Sequence, residues 1–369
     1  MTEQLFDLTL TEDQRITRES LQRYSDTELN AISRSSDENS VPPKDFLDNS
    51  MMLGLSILPI PEAYGGAGMD RTPLSNVLNA EDLGRGDMSL AIAMLTPLAF
   101  VNTVLDQGTE RQKEKYLTPL AAEKFVAATI AIMEPRATFE PSTLETKAVK
   151  KEEGYVINGV KSMVALGESS AFILVIADLE GEGPSGFIVE MDAEGLRYTE
   201  EKCMGLRPLE LSRLHFDNVL VGASAKLGEN EKTLDLQRLI DLSRLGTCAL
   251  SVGCCQAVLD YVIPYVNDRV AFGEPISNRQ SVAFMVANIA IELDGMRLMV
   301  LRAASRAEQG LDFHKEAYLA RTLCAKQAME IGTNGVQLLG GHGFCREHPV
   351  ELWYRNLRAI GILEGIASI

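Results

Sequence analysis

The sequence predicts a mainly α-helical fold in which a β-rich middle domain separates two helical domains. One observation behind this prediction is a change in hydrophobic period. Apolar residues recur with a helical period up to about residue 120, form short β-branched runs from about 127 to 221, and return to a helical period from about 231. The other is the apolar content, 46% of 369 residues, which suits a chain that buries sizeable cores. We therefore divide the chain into domains 1–126, 127–225 and 226–369.

Helix signals and one loop signal define the first domain. Thr11 stands where it can cap a helix through TEDQRITRESLQRY, because a threonine hydroxyl accepts from free backbone N–H groups of the first turn. Residues 76–100 have the pattern of a long buried helical segment. Between the two, residues 59–68 are dense in proline and glycine and predict a loop.

The middle domain consists of short β-branched runs spaced roughly ten residues apart, with turn-rich pieces between them. No insert is long enough to be a crossover helix, so the pattern favours an antiparallel barrel or sandwich over a parallel sheet. Long helical segments follow at 234–266, 281–307 and 316–339. The predicted order is therefore helical, β, helical.

The acidic balance excludes several classes of partner. The chain has 35 Lys and Arg against 52 Asp and Glu, a net charge of −17, so we expect no binding to nucleic acid or to an anionic membrane surface. A local basic site for a small phosphorylated ligand is compatible with that charge. The six cysteines and four histidines have no metal-site spacing, and no targeting or membrane-spanning segment is evident, so we expect a cytoplasmic protein without a bound metal.

Several local motifs, in order and at matching separations, resemble those of the acyl-CoA dehydrogenase family along essentially the whole chain. They are 64–69 (YGGAGM), 108–120 (GTERQKEKYLTPL), 269–280 (RVAFGEPISNRQ), 337–344 (QLLGGHGF), 347–349 (EHP) and 355–358 (RNLR). The resemblance implies an N-terminal helical domain, a middle β-barrel or sandwich domain and a C-terminal domain like a four-helix bundle. It also implies an oxidoreductase of fatty acid metabolism that uses FAD.

In that family an acyl-CoA thioester loses its α-proton to a carboxylate while its β-hydrogen leaves as hydride to the flavin. The segment 362–366 (ILEGI) is similar to the family's base segment and places the catalytic base at Glu364. Such a base needs a dry pocket, because a glutamate at an ordinary pKa of about 4.3 is weak toward a carbon acid. The alternative is that Glu364, close to the end of the sequence, is a solvated surface charge.

The resemblance also assigns ligand-binding residues in the last domain. Those assigned to the flavin nucleotide of a neighbouring subunit are Arg269, Phe272, Gln280, Gln337, Gly340 and Gly341. An arginine suits a pyrophosphate because its planar fork pairs two oxygens, and glycine lets a backbone approach closely. Asp241 and Arg244 resemble the pair that meets the CoA portion of the substrate. The structural alternatives are a helix-end salt bridge for Arg269, a helix C-cap for the glycines and an i, i+3 salt bridge for Asp241 with Arg244.

The middle domain departs from the family's flavin-binding pattern. The family's T-E-P-x-A-G-S-D reads here MEPRATFE, which keeps Glu134 but puts Met133 and Phe139 where two hydroxyl side chains would meet the flavin. Its K-x-W-I-T-N reads KSMVAL, with Met163 and Ala165 at the tryptophan and threonine positions. Each neutral hydrogen bond lost costs about 0.5–1.5 kcal/mol of net binding, so the chain's own flavin grip is predicted to be weak.

Three interpretations follow. The chain is an acyl-CoA dehydrogenase that binds FAD itself; or it is a flavin-poor partner subunit that completes a homologous sister chain's FAD site; or it is a flavin-free relative that binds acyl-CoA. The first two require a homo-oligomer or a hetero-oligomer, since the nucleotide contacts are made in trans. Electron-transfer flavoprotein is the acceptor implied by the resemblance.

Overall fold

The computed structural model describes residues 9–229, 231–366 and 369. The predicted order of a helical, a β and a second helical region is confirmed. Helices of the first region are α1 (Glu12–Tyr24), followed by a π-helical turn (Ser25–Leu29), α2 (Asn30–Asn39), α3 (Phe46–Ser50), α4 (Pro73–Gly86), α5 (Met88–Gln107) and α6 (Glu110–Leu120). Thr11 caps α1 as predicted: its hydroxyl accepts from Gln14 N, and the Gln14 side chain accepts from Thr11 N.

One sheet forms the β region. Its strands are β1 (Ala128–Ala131), β2 (Lys147–Lys151), β3 (Gly154–Ala165), β4 (Phe172–Leu179), β5 (Gly183–Glu190), β6 (Leu196–Glu200) and β7 (Leu211–Gly222), in the order β1-β4-β2-β3-β7-β6 with β5 paired to β4. Antiparallel pairing predominates as predicted, but β1 and β2 both run parallel to β4. β1 pairs with the start of β4 and β2 with its end. After β1 the chain makes an excursion through 132–146 and returns as β2 in the same direction, so both strands pair parallel with β4. The spacing of apolar runs does not reveal this path.

The last region is built on long helices. They are α7 (Leu236–Asp268), α8 (Gln280–Glu308) and α9 (His314–Leu339), with the hairpin strands β8 (Val270–Ala271) and β9 (Glu274–Pro275) between α7 and α8 and the shorter α10 (Val350–Leu357) after α9. α7 packs against α8 and α9, and also against α4 of the first region. The largest buried apolar cluster therefore spans both helical regions. The domain boundaries at 126 and 225 stay predictions.

Two helices are long and apolar enough to cross a membrane by length and composition alone, which the sequence interpretation did not anticipate. They are α5 and α7, and 94% and 72% of their most apolar windows lie buried inside the protein. Burial of this extent is what core helices of a folded domain show, so these helices are weak evidence for a membrane span.

The close packing of α7 on α4 depends on one glycine. A Cβ at Gly253 would lie 1.9 Å from the backbone oxygen of Glu81, and backbone cannot move aside as a flexible side chain can. We expect Gly253→Ala to lower the free energy of unfolding by about 1–3 kcal/mol. Gly295→Ala in α8 is the matched control, because a Cβ there meets nothing within 4 Å and removing a mid-helix glycine stabilises by roughly 0.5–1 kcal/mol. Urea unfolding of both variants measures the difference; equal effects would contradict the packing argument.

Candidate active site

Glu364 lies on a turn that packs against the β region. Its neighbours Leu363 and Ile366 are buried, and its own side chain is 16% exposed. Gly365 has φ +75°, and a Cβ at that position would lie 2.5 Å from Cδ1 of Ile132, so only glycine fits both the conformation and the contact. The structure does not place Glu364 as a freely solvated charge.

The structure brings Glu364 together with Arg244 on α7. Nε of Arg244 donates to both carboxylate oxygens of Glu364 at 3.2 and 3.1 Å, and Nη2 donates to Oε1 at 3.1 Å. A second arginine, Arg321 on α9, donates from Nη2 to the backbone oxygen of Leu363 at 2.9 Å. Charge-assisted contacts of this kind fix the position of a carboxylate more firmly than neutral hydrogen bonds do.

Asp241 lies one helical turn before Arg244 and is buried. Its carboxylate contacts Nδ1 of His314 at 3.0 Å and accepts from Nε2 of Gln237 at 3.1 Å, whereas Nη1 of Arg244 is 3.8 Å away. Burial raises the pKa of Asp241, and the hydrogen bonds from His314 and Gln237 oppose that rise. The i, i+3 pair with Arg244 is thus present but longer than the contact of Arg244 with Glu364.

A cavity of about 460 Å³ leads to Arg244. It lies between α7, α9 and the loops of the β region, and its lining includes Ser142, Gln237, Arg244, His314 and Tyr318. Its volume is in the range of small-molecule sites, and it combines polar side chains with the apolar Leu236 and Ile240. A ligand entering there would meet Arg244, which holds Glu364.

The residues assigned to a neighbour's nucleotide lie far from Glu364. Arg269 directly follows α7, 25 residues after Arg244, which at 1.5 Å per residue is about 37 Å along the helix axis. Phe272 is 96% exposed, and a Cβ at Gly340 or Gly341 would meet nothing within 4 Å. Gln280 begins α8 and Gln337 lies in the last turn of α9. These six residues, which we call the outer set, therefore do not form one compact site with Glu364 of the same chain. They are accessible to a neighbouring molecule.

The inner positions, where the sequence departs from the family pattern, are occupied by the chain's own side chains. Met133 is buried, and its Sδ accepts the backbone N–H of Glu364 at 3.2 Å. Phe139 is half-buried beneath the guanidinium of Arg136, at 5.6 Å from the ring centroid. Met163 has φ +56°, and its backbone N–H is bound by the carboxylate of Glu201. The outer set is exposed and includes a guanidinium of the kind that suits a pyrophosphate, whereas Met133, Phe139 and Met163 offer no side-chain hydroxyl to a flavin ring or pyrophosphate.

Two residues that the chain shares with the family motifs in the β region, Glu134 and Lys161, form an ion pair to which sequence reasoning gave no role. The side chains of Lys161 and Glu134 are 0% and 1% exposed, with Nζ 3.0 Å from Oε1. Glu134 also accepts from Glu145 N at 2.8 Å and Thr146 N at 2.9 Å, and Lys161 donates to Ile132 O at 2.9 Å. Burial lowers the pKa of Lys161 to about 8, against the opposing charge of Glu134. The available signal was one charged residue within an apolar β run, Lys161, and another directly after such a run, Glu134.

Three other residues near the site escaped sequence reasoning: Arg321, Glu201 and His314. Each acts through contacts between elements distant in the chain, which local spacing does not encode. His342 and His348 stack with ring centroids 5.4 Å apart, but the described residues include no group of three or more His, Cys, Asp or Glu side chains that could hold a metal ion.

Comparison with known proteins covers nearly the whole chain. Family models described as the N-terminal, middle and C-terminal domains of acyl-CoA dehydrogenase match residues 11–124, 129–219 and 235–369. Cyclohex-1-ene-1-carbonyl-CoA dehydrogenase of Geobacter metallireducens is 32% identical over 98% of this chain and 96% of that protein. The caffeyl-CoA reductase-Etf complex subunit CarC of Acetobacterium woodii is 31% identical over 97% and 96%.

The fold agrees with these matches. The structure of butyryl-CoA dehydrogenase from Megasphaera elsdenii superposes with a TM-score of 0.89 at 30% identity, covering 98% of this chain and 96% of the other. All three domain models and the relatives at 30% identity or more point to the same group of FAD-dependent oxidoreductases. With its helical, β and helical regions in that group's order, this chain belongs to the acyl-CoA dehydrogenase family.

Proposed function

We propose that this chain acts in the α,β-desaturation of an acyl-CoA thioester, with Glu364 as the base that takes the α-proton. The observation that carries the proposal is the pairing of Glu364 with Arg244, which also lines the 460 Å³ cavity. A carboxylate held by directed contacts to an arginine that lines a partly apolar cavity supports the assignment of a general base.

The turn also carries a donor suited to the substrate. The backbone N–H of Glu364 is bound by a thioether sulfur, which is a weak acceptor. A thioester carbonyl oxygen is a stronger acceptor and would replace it. Because the N–H and the carboxylate belong to one residue, a carbonyl bound there would bring its α-carbon toward the carboxylate, and the donor would stabilise the negative charge that develops on the oxygen.

The outer set would hold the cofactor of a neighbouring subunit. Arg269 would pair with the pyrophosphate, while Gly340 and Gly341 would allow close approach of the backbone to the nucleotide. When bound, FAD supplies the acceptor for the β-hydride. This arrangement requires at least a dimer, and we propose that electron-transfer flavoprotein takes the electrons onward, as the name of the CarC relative suggests for its own complex. We place the reaction in the cytoplasm.

A second candidate function is supported by the inner positions. Met133 packs on the Glu364 turn, and Phe139 and Met163 are half-buried against the same apolar cluster. These contacts favour a partner subunit whose own flavin-binding positions are occupied by its side chains, and whose outer set binds the flavin nucleotide of a sister chain. The retained turn at Glu364 favours the first candidate instead.

The absorption spectrum of the purified chain separates these candidates. The first predicts a yellow protein with about one flavin per chain, bleached by butyryl-CoA or by a bulkier acyl-CoA. The second predicts a colourless chain that stays apo with added FAD and yields one flavin per two chains when co-expressed with a homologous subunit. A colourless chain that binds acyl-CoA in calorimetry, with no flavin under either condition, would contradict both and favour the flavin-free interpretation.

A further inference from the structure

Arg321 is a buried arginine whose contacts converge on the turn that carries Glu364. It lies on α9 and is 9% exposed. Its Nη2 donates to the backbone oxygen of Leu363 at 2.9 Å, and its Nε lies 3.8 Å from Oε1 of Glu364. Within the described residues, its Nη1 is buried without a hydrogen-bond partner.

A guanidinium is costly to bury, and its burial is offset only by partners. For Arg321 the partners are two consecutive residues, Leu363 and Glu364, and no other ion pair of this side chain is present in the described parts of the chain. A purely structural arginine would be expected to use its whole fork between packed elements. In Arg321, Nη1 has no hydrogen-bond partner among the described residues, while Nη2 and Nε both approach a single turn.

Two arginines on different helices therefore hold the turn that carries Glu364. Arg244 on α7 holds the carboxylate of Glu364, and Arg321 on α9 holds the preceding backbone carbonyl and approaches the same carboxylate. The third attachment, Glu364 N to the sulfur of Met133, is weak. Loss of Arg321 would leave the backbone before Glu364 without its charged anchor.

We infer that Arg321 is a positioning residue for the base: it sets the position of the Glu364 turn relative to the cavity and does not itself exchange a proton. The inference rests on the proposed role of Glu364. A misplacement of about 1 Å at a reacting group can cost on the order of 10²-fold in rate. Removing Arg321 should thus act on kcat, while binding of the CoA portion, which we assign to Asp241 and Arg244, should be little changed.

The test compares Arg321→Met, Arg321→Lys and Lys326→Met, the last being an exposed cation on the same helix. In the flavin-loaded enzyme we expect kcat to fall about 10–100-fold in Arg321→Met with KM changed less than about threefold, and partial recovery in Arg321→Lys. Lys326→Met should match the unmodified protein. A fall in kcat that lysine does not relieve, or a loss expressed in KM alone, would overturn the inference.

A second measurement does not depend on activity or on flavin. Hydrogen exchange followed by mass spectrometry should show faster exchange in peptides covering 360–366 in Arg321→Met, with α9 unchanged and the thermal midpoint close to that of Lys326→Met. Uniform acceleration along α9, or no change in 360–366, would show a structural role only. If the unmodified protein fails to desaturate any thioester, the proposed function fails, and this exchange result still decides whether Arg321 positions the turn.

Discussion

Replacing Glu364 with glutamine should reduce the rate of acyl-CoA desaturation by about 10²–10⁴-fold, the usual contribution of a general base. Glutamine keeps the length and shape of the side chain but cannot accept the α-proton. The measurement is the single-turnover bleaching of flavin after addition of the thioester, in whichever flavin-loaded preparation is obtained. Glu330→Gln, an exposed substitution on α9, is the matched control and should keep the full rate.

The outcome of that experiment also discriminates between subunits in a mixed assembly. If Glu364→Gln abolishes bleaching, this chain's own base acts on the thioester. Should bleaching survive in Glu364→Gln at the rate of the unmodified assembly, the assignment of Glu364 as base is wrong. Acyl-CoA binding should persist in both cases, because Arg244 and the cavity remain.

Removal of the buried cation in the β region should have the largest effect on stability. Lys161→Met would leave Glu134 buried without its counter-charge, and breaking a buried pair in this way costs about 3–5 kcal/mol. The double variant Glu134→Gln with Lys161→Met removes both charges and should recover much of that loss. Urea unfolding of the two variants measures the difference. Equal losses in the single and double variants would show that the uncompensated charge is not the cause.

The same pair predicts a pH dependence with a definite sign. The pKa of Lys161 is about 8 in the folded chain and about 10.5 in the unfolded chain, so between those pH values the unfolded state binds more protons. The free energy of unfolding contributed by Lys161 therefore rises with pH across that interval. Glu134 acts at acidic pH. Burial raises its pKa, but the charge of Lys161 and two backbone N–H donors lower it by more, so the pKa of Glu134 lies below its ordinary value. The free energy of unfolding contributed by Glu134 is therefore lost as the pH falls through that pKa. The double variant should lack both dependences.

Hydrophobic period was sufficient to predict the three regions, because long amphipathic helices and short β runs leave different spacings in the sequence. Spacing did not predict that β1 and β2 run parallel to β4, since strand direction depends on the path of the excursion through 132–146. The resemblance identified both Glu364 and Arg244, which the structure joins. It did not identify Arg321, since its contact with Leu363 joins residues 42 positions apart through tertiary packing.

Met133 illustrates a different limit of the sequence. Its identity predicted the loss of a hydroxyl, but not that its sulfur would accept the N–H of Glu364. That contact depends on how the turn at Gly365 packs on Ile132, a backbone geometry that no residue type specifies alone.

The uninterrupted helix α7 has a consequence for how this protein can change in evolution. Arg244 lies on this helix and Arg269 directly follows it, and the contact of Gly253 with Glu81 fixes the rotation of the helix between them. Inserting or deleting a single residue within the helix would turn one end by 100° and shift it by 1.5 Å relative to the other. Arg244 or Arg269 would then be misdirected whichever side of Gly253 carried the change. The two ligand sites proposed for Arg244 and Arg269 would together fix the length of α7.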